Sequence, residues 1–239
     1  ALREKSLEAW FQALIAANAP GNALYASFSA NAKFQALFKE SARSNYYILR
    51  EDLEARVQFF EKFQPDISLV IHYDSQDPAN DPNGVNSRRY SRVKTYVHGS
   101  ISPEEWAQNG DRRLFFMHAL DSSSWDASFA LSKSVVNGLS KGLGLGFDVG
   151  GGGSSVQVAP GVFSRNLYLT KHAHSHAHAY VECLHYNDPG EFAAMRQKDF
   201  SLMVDGQPAY YSNRLRQVAF SIRDGVVNFV RGQKVTSRN

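Results

Sequence analysis

Hydrophobic residues recur at helical spacing in some stretches of this 239-residue chain and run together in others. Residues 2–17 place Leu7, Trp10, Phe11, Leu14 and Ile15 on one face, and Pro20-Gly21 ends that helix. Residues 23–41, with Phe28, Phe34, Leu37 and Phe38, predict a further helical insert, and 46–49 a short strand. A third helix is expected at 52–63, on Leu53, Val57, Phe60 and Phe63, stopped by Pro65. The apolar run 67–71, broken only by Ser68, predicts a buried parallel strand. Residues 75–87 are rich in Pro, Asn and Asp and predict a loop. Strands are expected at 92–97, 166–170 and 177–183. Helices are expected from Pro103, with Ser102 as its N-cap, and over 128–143. The glycine-rich stretch 142–155 predicts a mobile linker, the chain from Pro189 onward a helical region, and 215–230 a long amphipathic terminal helix. Alternating strands and helices predict an α/β fold: a single domain with a mostly parallel sheet flanked by helices on both faces.

Composition narrows the function classes. A net charge of +3 is too weak a bias to argue for nucleic acid, and it suits work near an anionic polymer. The single cysteine, Cys183, rules out an internal disulfide and a thiolate zinc cluster. No apolar run has the length of a membrane span. No signal peptide pattern is visible, and the start at Ala1 inside a helical pattern predicts that an upstream segment is missing.

Functional groups of open α/β sheets gather at the carboxyl ends of strands. His72 follows the run 67–71, and Glu182 stands near the end of 177–183. A neutral imidazole on a rigid strand is a natural zinc ligand, and a nearby carboxylate can move the protons of a metal-activated water. The competing reading makes both ordinary strand-end residues in contact with solvent. His172, His174, His176 and His178 alternate, so in an extended strand all four point to one side. They suit a metal patch or a carbohydrate contact near Glu182, or equally a solvated polar loop. His98 and His118 are expected in structural or exposed roles. The glycines 150–153 lack the lysine and hydroxyl spacing of a phosphate loop, and no Gly-x-Ser-x-Gly elbow occurs.

The segments Ile48-Leu49-Arg50-Glu51-Asp52-Leu53-Glu54-Ala55-Arg56, Pro65-Asp66-Ile67-Ser68-Leu69-Val70-Ile71-His72-Tyr73-Asp74-Ser75 and Ala179-Tyr180-Val181-Glu182-Cys183-Leu184-His185-Tyr186-Asn187-Asp188-Pro189-Gly190-Glu191-Phe192 occur in a telling order. Together with the terminal helix, this set resembles the zinc-dependent N-acetylmuramoyl-L-alanine amidases of cell division, sporulation and phage lysis. The resemblance covers about three quarters of the chain. It implies hydrolysis of the amide between N-acetylmuramic acid and L-alanine in peptidoglycan. His72 would be a zinc ligand and Glu182 the catalytic glutamate. Arg3-Glu4-Lys5 resembles the family's glutamate-lysine helix opening, which makes Glu4 a second ligand. Arg165 would lie at the rim, where it could meet a stem-peptide carboxylate.

The family's first zinc histidine, in an Asp-Pro-Gly-His-Gly loop before the glutamate-lysine helix, has no counterpart here. A catalytic zinc needs three protein ligands, so the third is expected upstream of Ala1. On this reading residues 1–239 form an amidase-like domain with atypical insertions at 22–45 and 98–161. Its partners are peptidoglycan and optionally an activator protein, with no nucleic acid and no membrane span, and it works in the periplasm or outside the cell. The missing histidine favours a rival of another class, a non-catalytic wall-binding or regulatory protein that kept the fold and lost its metal. A further alternative is a metal-binding protein that uses the histidines of 172–178.

Overall fold

The structure, a computed structural model, describes residues 52–75, 91–101, 106, 117, 124–152, 155–171 and 176–236. The elements expected at 2–17, 23–41 and 46–49 lie outside the described residues, as do Glu4, His118, His172 and His174. The chain divides into two compact units, Ala1–Lys62 and Phe63–Asn239. Helix α1 (Leu53–Phe63) largely belongs to the first, with Val57 buried and Arg56 bonded back to Asp52 one turn earlier at 2.8 Å.

The second unit is built on a six-stranded sheet. Its strands are β1 (Ile67–Asp74), β2 (Arg92–Val97), β3 (Gly146–Phe147), β4 (Val156–Ala159), β5 (Val162–Ser164) and β6 (Ala177–His185). They lie in the order β1-β6-β2-β5-β4, with β3 also on β2. The fold is α/β as the sequence predicts, and the sheet is mixed. β1 runs parallel to β6, and β2 runs parallel to both β3 and β5, whereas β2–β6 and β4–β5 are antiparallel.

One face of the sheet is the core. Strand alternation turns Ile67, Leu69, Val93, Thr95, Val97, Ala179, Val181 and Cys183 toward helix α2 (Ser124–Leu143), which supplies Leu131, Val135, Val136 and Leu139. The Thr95 hydroxyl donates to the Ser132 carbonyl of that helix. The terminal helix α5 (Asn213–Thr236) packs across α2 through Val218, Ile222 and Phe229, spaced so that all three share one stripe. Glycines let the two helices approach closely. A Cβ on Gly225 would stand 2.6 Å from the Val135 Cα, and one on Gly138 2.5 Å from the Ser221 carbonyl oxygen. The Ser134 hydroxyl also donates to the Gly225 carbonyl at 2.7 Å. Residues 98–161 thus include the main core helix.

Several expectations are corrected. The run 67–71 is not a fully buried strand. β1 ends the strand order, and Ile71 is 54% exposed. Residues 166–170 do not extend the sheet: Tyr168–Lys171 is a short helix, α3, and the Thr170 hydroxyl donates to the carbonyls of Leu167 and Arg165. The glycine-rich stretch is not a free linker, because Gly146 and Phe147 pair with β2, and the Asp148 N–H donates to the Val93 carbonyl at 2.9 Å. The chain after Pro189 is helical only over α4 (Pro189–Met195), where the Asp188 carboxylate accepts from the N–H groups of Gly190 and Glu191. It then forms a hairpin of β7 (Phe200–Val204) and β8 (Gln207–Tyr211) before α5 begins.

Candidate functional site

The face of the sheet turned away from α2 carries the chemistry. Ser68, His72 and Asp74 of β1, Lys94 and Tyr96 of β2, and His178, Tyr180 and Glu182 of β6 all project there, because each alternates with a core residue. Register then sets the neighbours. His72 and Lys94 flank Glu182 from the two adjacent strands, Tyr96 pairs with Tyr180, and Ser68 pairs with His178.

His72 and Glu182, 110 positions apart, meet side chain to side chain, with His72 Nδ1 2.9 Å from Glu182 Oε2. An ionised carboxylate only accepts, so Nδ1 carries the proton in this pair. The Nε2 atom makes no hydrogen bond among the described residues. The His72 side chain is 55% exposed, while that of Glu182 is 9% exposed. Burial raises the Glu182 pKa above the ordinary carboxylate value, and its hydrogen bond to His72 opposes the rise. The His72 ring lies 5.6 Å from that of Tyr180, which in turn meets Tyr96 edge-on at 6.0 Å.

Arg165 follows β5 rather than preceding a strand. Its guanidinium lies 5.7 Å from the Tyr96 ring centre and reaches the Gly151 carbonyl at 3.4 Å, and the Tyr96 hydroxyl donates to that same carbonyl at 2.7 Å. Arg165 is therefore joined to the His72–Glu182 pair through the row Tyr96–Tyr180.

A second cluster adjoins the pair. Lys94, 6% exposed, sets its ammonium 2.5 Å from Asp74 Oδ2 and 2.9 Å from Asp148 Oδ2, and donates to the Gly150 carbonyl at 3.3 Å. His185 Nε2 stands 3.5 Å from Asp148 Oδ2 and 3.9 Å from Asp74 Oδ2. Burial alone would lower the Lys94 pKa, but its bonds to Asp74 and Asp148 leave it raised. Burial alone would raise that of Asp148, but bonds from His185 and Lys94 leave it well below the usual carboxylate range. Sequence reading missed this cluster. Its one signal is Lys94 in the middle of the strand Arg92-Val93-Lys94-Thr95-Tyr96-Val97, because a charge at a central strand position must find a partner.

His176 and His178 lie at the other end of β6. The Ser68–His178 pairing lies four positions from the His72–Glu182 pairing, or about 13 Å along the strand. The Ser68 hydroxyl sits 2.6 Å from His176 Nε2 and 2.7 Å from His178 Nδ1. It can donate to only one of the rings, so the other imidazole donates to it. Burial, with His176 and His98 nearby, pushes the His178 pKa down to about 3. These two histidines are thus buried and neutral, not neighbours of Glu182, and His98 is likewise buried. Burial also pushes the Cys183 thiol up to about 12, which removes it as a nucleophile at neutral pH.

No protein-family model matches the sequence, and no curated protein matches it. Among solved structures, the chain is similar to the N-acetylmuramyl-L-alanine amidase Ami1 from Mycobacterium smegmatis, with a TM-score of 0.46 and 13% identity over 75% of this chain. It is similar also to the apo form of Ami1 from Mycobacterium abscessus, with a TM-score of 0.46 and 14% identity over 74% of this chain. The match spans 61% of the length of each of those two structures.

Proposed function

We propose that this chain is a peptidoglycan hydrolase that cleaves the amide between N-acetylmuramic acid and L-alanine, with His72 and Glu182 at the reacting centre. The observation that carries the reading is the 2.9 Å contact between these two side chains. Each was singled out from its own sequence motif, and their meeting is what a shared centre requires.

The reading includes a zinc ion, and the donor set can be tested against it. A zinc-bound histidine ordinarily donates its other N–H to a carboxylate or carbonyl, which fixes the ring and its tautomer. His72 meets Glu182 through Nδ1, so Nδ1 is the donor atom that would keep a bound metal within reach of the Glu182 carboxylate, and Nε2 would then carry the N–H. A catalytic zinc takes three protein ligands, and in this reading His72 is one of them. Glu4, a second in this reading, lies outside the described residues. When bound, zinc would polarise the scissile carbonyl and lower the pKa of water.

The work of the chain's own residues follows from their surroundings. Glu182 takes a proton from the attacking water and delivers it to the leaving amine. Its raised pKa brings it closer to the working pH, which favours both transfers. His72 orients the Glu182 carboxylate, and Arg165, a substrate-binding residue in this reading, offers a guanidinium to a stem-peptide carboxylate at the rim. No described helix is long and apolar enough to cross a membrane. The substrate itself places the work in the cell envelope, and an activator protein is compatible with it. A second reading is a wall-binding protein without catalysis.

Zinc content and wall digestion separate the two. Glu182→Gln keeps an acceptor for His72 but cannot take the proton. It should retain zinc and lose turnover by about 100-fold or more. His72→Ala should lose the zinc. Turnover close to wild type in Glu182→Gln would sink the assignment of Glu182, and a folded wild-type chain that holds no zinc and digests no wall would favour the binding protein.

A further inference from the structure

Asp74, Asp148 and His185 each offer one ligand atom, and the three atoms lie within 4.8 Å of one another. Two carboxylate oxygens and an imidazole nitrogen form a donor set that suits zinc, and ligands at zinc bond lengths sit about 3.4 Å apart in a tetrahedron. The separations of 3.5 and 3.9 Å between His185 Nε2 and the two carboxylate oxygens are close to that spacing. By donor type and distance the three groups could hold a metal ion. The cluster already contains a cation, however, because the Lys94 ammonium bridges Asp74 and Asp148 and takes a third acceptor, the Gly150 carbonyl.

We propose that Asp74, Asp148 and His185 form a cation site whose resident cation is the ammonium of Lys94, so that a divalent ion is kept off this cluster. Three features support the assignment. Lys94 is 6% exposed and enters from β2, where its neighbours Val93 and Thr95 are fixed in the core, so its stem has little room to withdraw. A buried ammonium needs counter-charges, and here it has two carboxylates and a carbonyl. The cluster is also assembled by backbone pairing, not by flexible side chains alone: β3 on β2 delivers Asp148, and β1 on β6 delivers Asp74 opposite His185. In a chain that uses zinc at His72, the ammonium prevents the neighbouring three-donor cluster from competing for the metal. That consequence alone rests on the hydrolase reading.

The test begins with metal content, measured on the full chain after equilibration with zinc and removal of excess. Lys94→Met keeps the stem and removes the charge. It should take up about one zinc per chain more than the wild type, and the gain should vanish in Lys94→Met/His185→Ala. A folded Lys94→Met chain with no gain would overturn the proposal. Lysine acylation followed by mass spectrometry tests the wild type without any substitution. Lys94 should react roughly tenfold or more slowly than the exposed Lys62 and Lys198, with or without zinc. Acylation of Lys94 at their rate, or acceleration on adding zinc, would show that the ammonium leaves the cluster and would contradict the proposal. Loss of zinc from His72→Ala bears on the hydrolase reading and leaves both of these readouts unaffected.

Discussion

Lys94, Glu182 and His178 illustrate three ways a sheet buries a polar side chain. Lys94 does so by complete pairing. Removing its charge leaves Asp74 and Asp148 facing each other, and breaking a buried pair in this way costs about 3–5 kcal/mol. Lys94→Met should therefore unfold at clearly lower urea than the wild type in metal-free buffer. An unchanged midpoint would mean that the cluster is solvated. His178 is buried by neutrality. Its folded pKa of about 3 lies below the 6.5 of the unfolded chain, so the unfolded state takes the proton first. The sign follows: the stability contributed by neutral His178 is present above pH 6.5 and is lost as pH falls from there toward 3. Urea unfolding at pH 7.5, 5.5 and 4.5 should show a falling midpoint, and His178→Phe should reduce that slope. A midpoint independent of pH over this range would contradict the burial. Glu182 is buried with His72 as its hydrogen-bond partner among the described residues, and its raised pKa is the property its proposed role requires.

At the scale of elements, the molecule depends on two close contacts, helix α5 on α2 and strand β6 between β1 and β2. The first is set by glycine. A side chain at Gly225 would run into the Val135 backbone, so Gly225→Ala should cost about 1–3 kcal/mol although alanine is the better helix former. Thermal unfolding checks this, and an equal or higher melting temperature would mean that the helices separate without cost. The second contact explains what the sequence disclosed. His72 and Glu182 were candidates in the sequence because the first follows an apolar run and the second stands near the end of another, and parallel pairing of β1 with β6 sets them opposite each other. The Lys94–Asp148–His185 cluster was not legible, since its members come from three segments joined only by the strand order. The hairpin was misread for a different reason. Phe200-Ser201-Leu202-Met203-Val204 is too uniformly apolar to show a period of two, although Asp205-Gly206, both at positive φ, is a strong turn signal. Residues 166–170 read as a strand in sequence, but the pairings of β5 with β2 and β4 end at Ser164, and Tyr168–Lys171 coils into α3 instead.

For the whole molecule, the arrangement divides labour between the two faces of one sheet. The face on α2 holds the fold together with aliphatic side chains. The opposite face gathers His72, Glu182, Lys94, Tyr96, Tyr180 and the buried histidines. The α/β class and the position of the candidate pair followed from hydrophobic pattern and strand ends. The substrate does not follow from pattern, because it depends on chemistry at a few side chains and not on the fold that carries them. The most direct test is product analysis after incubating purified peptidoglycan with the chain and zinc. The account predicts free stem peptides with a new L-alanine amino terminus, intact sugar strands, and neither product from Glu182→Gln. Sugar fragments without free stem peptides, or wall that is bound and left uncut by the zinc-loaded chain, would contradict it.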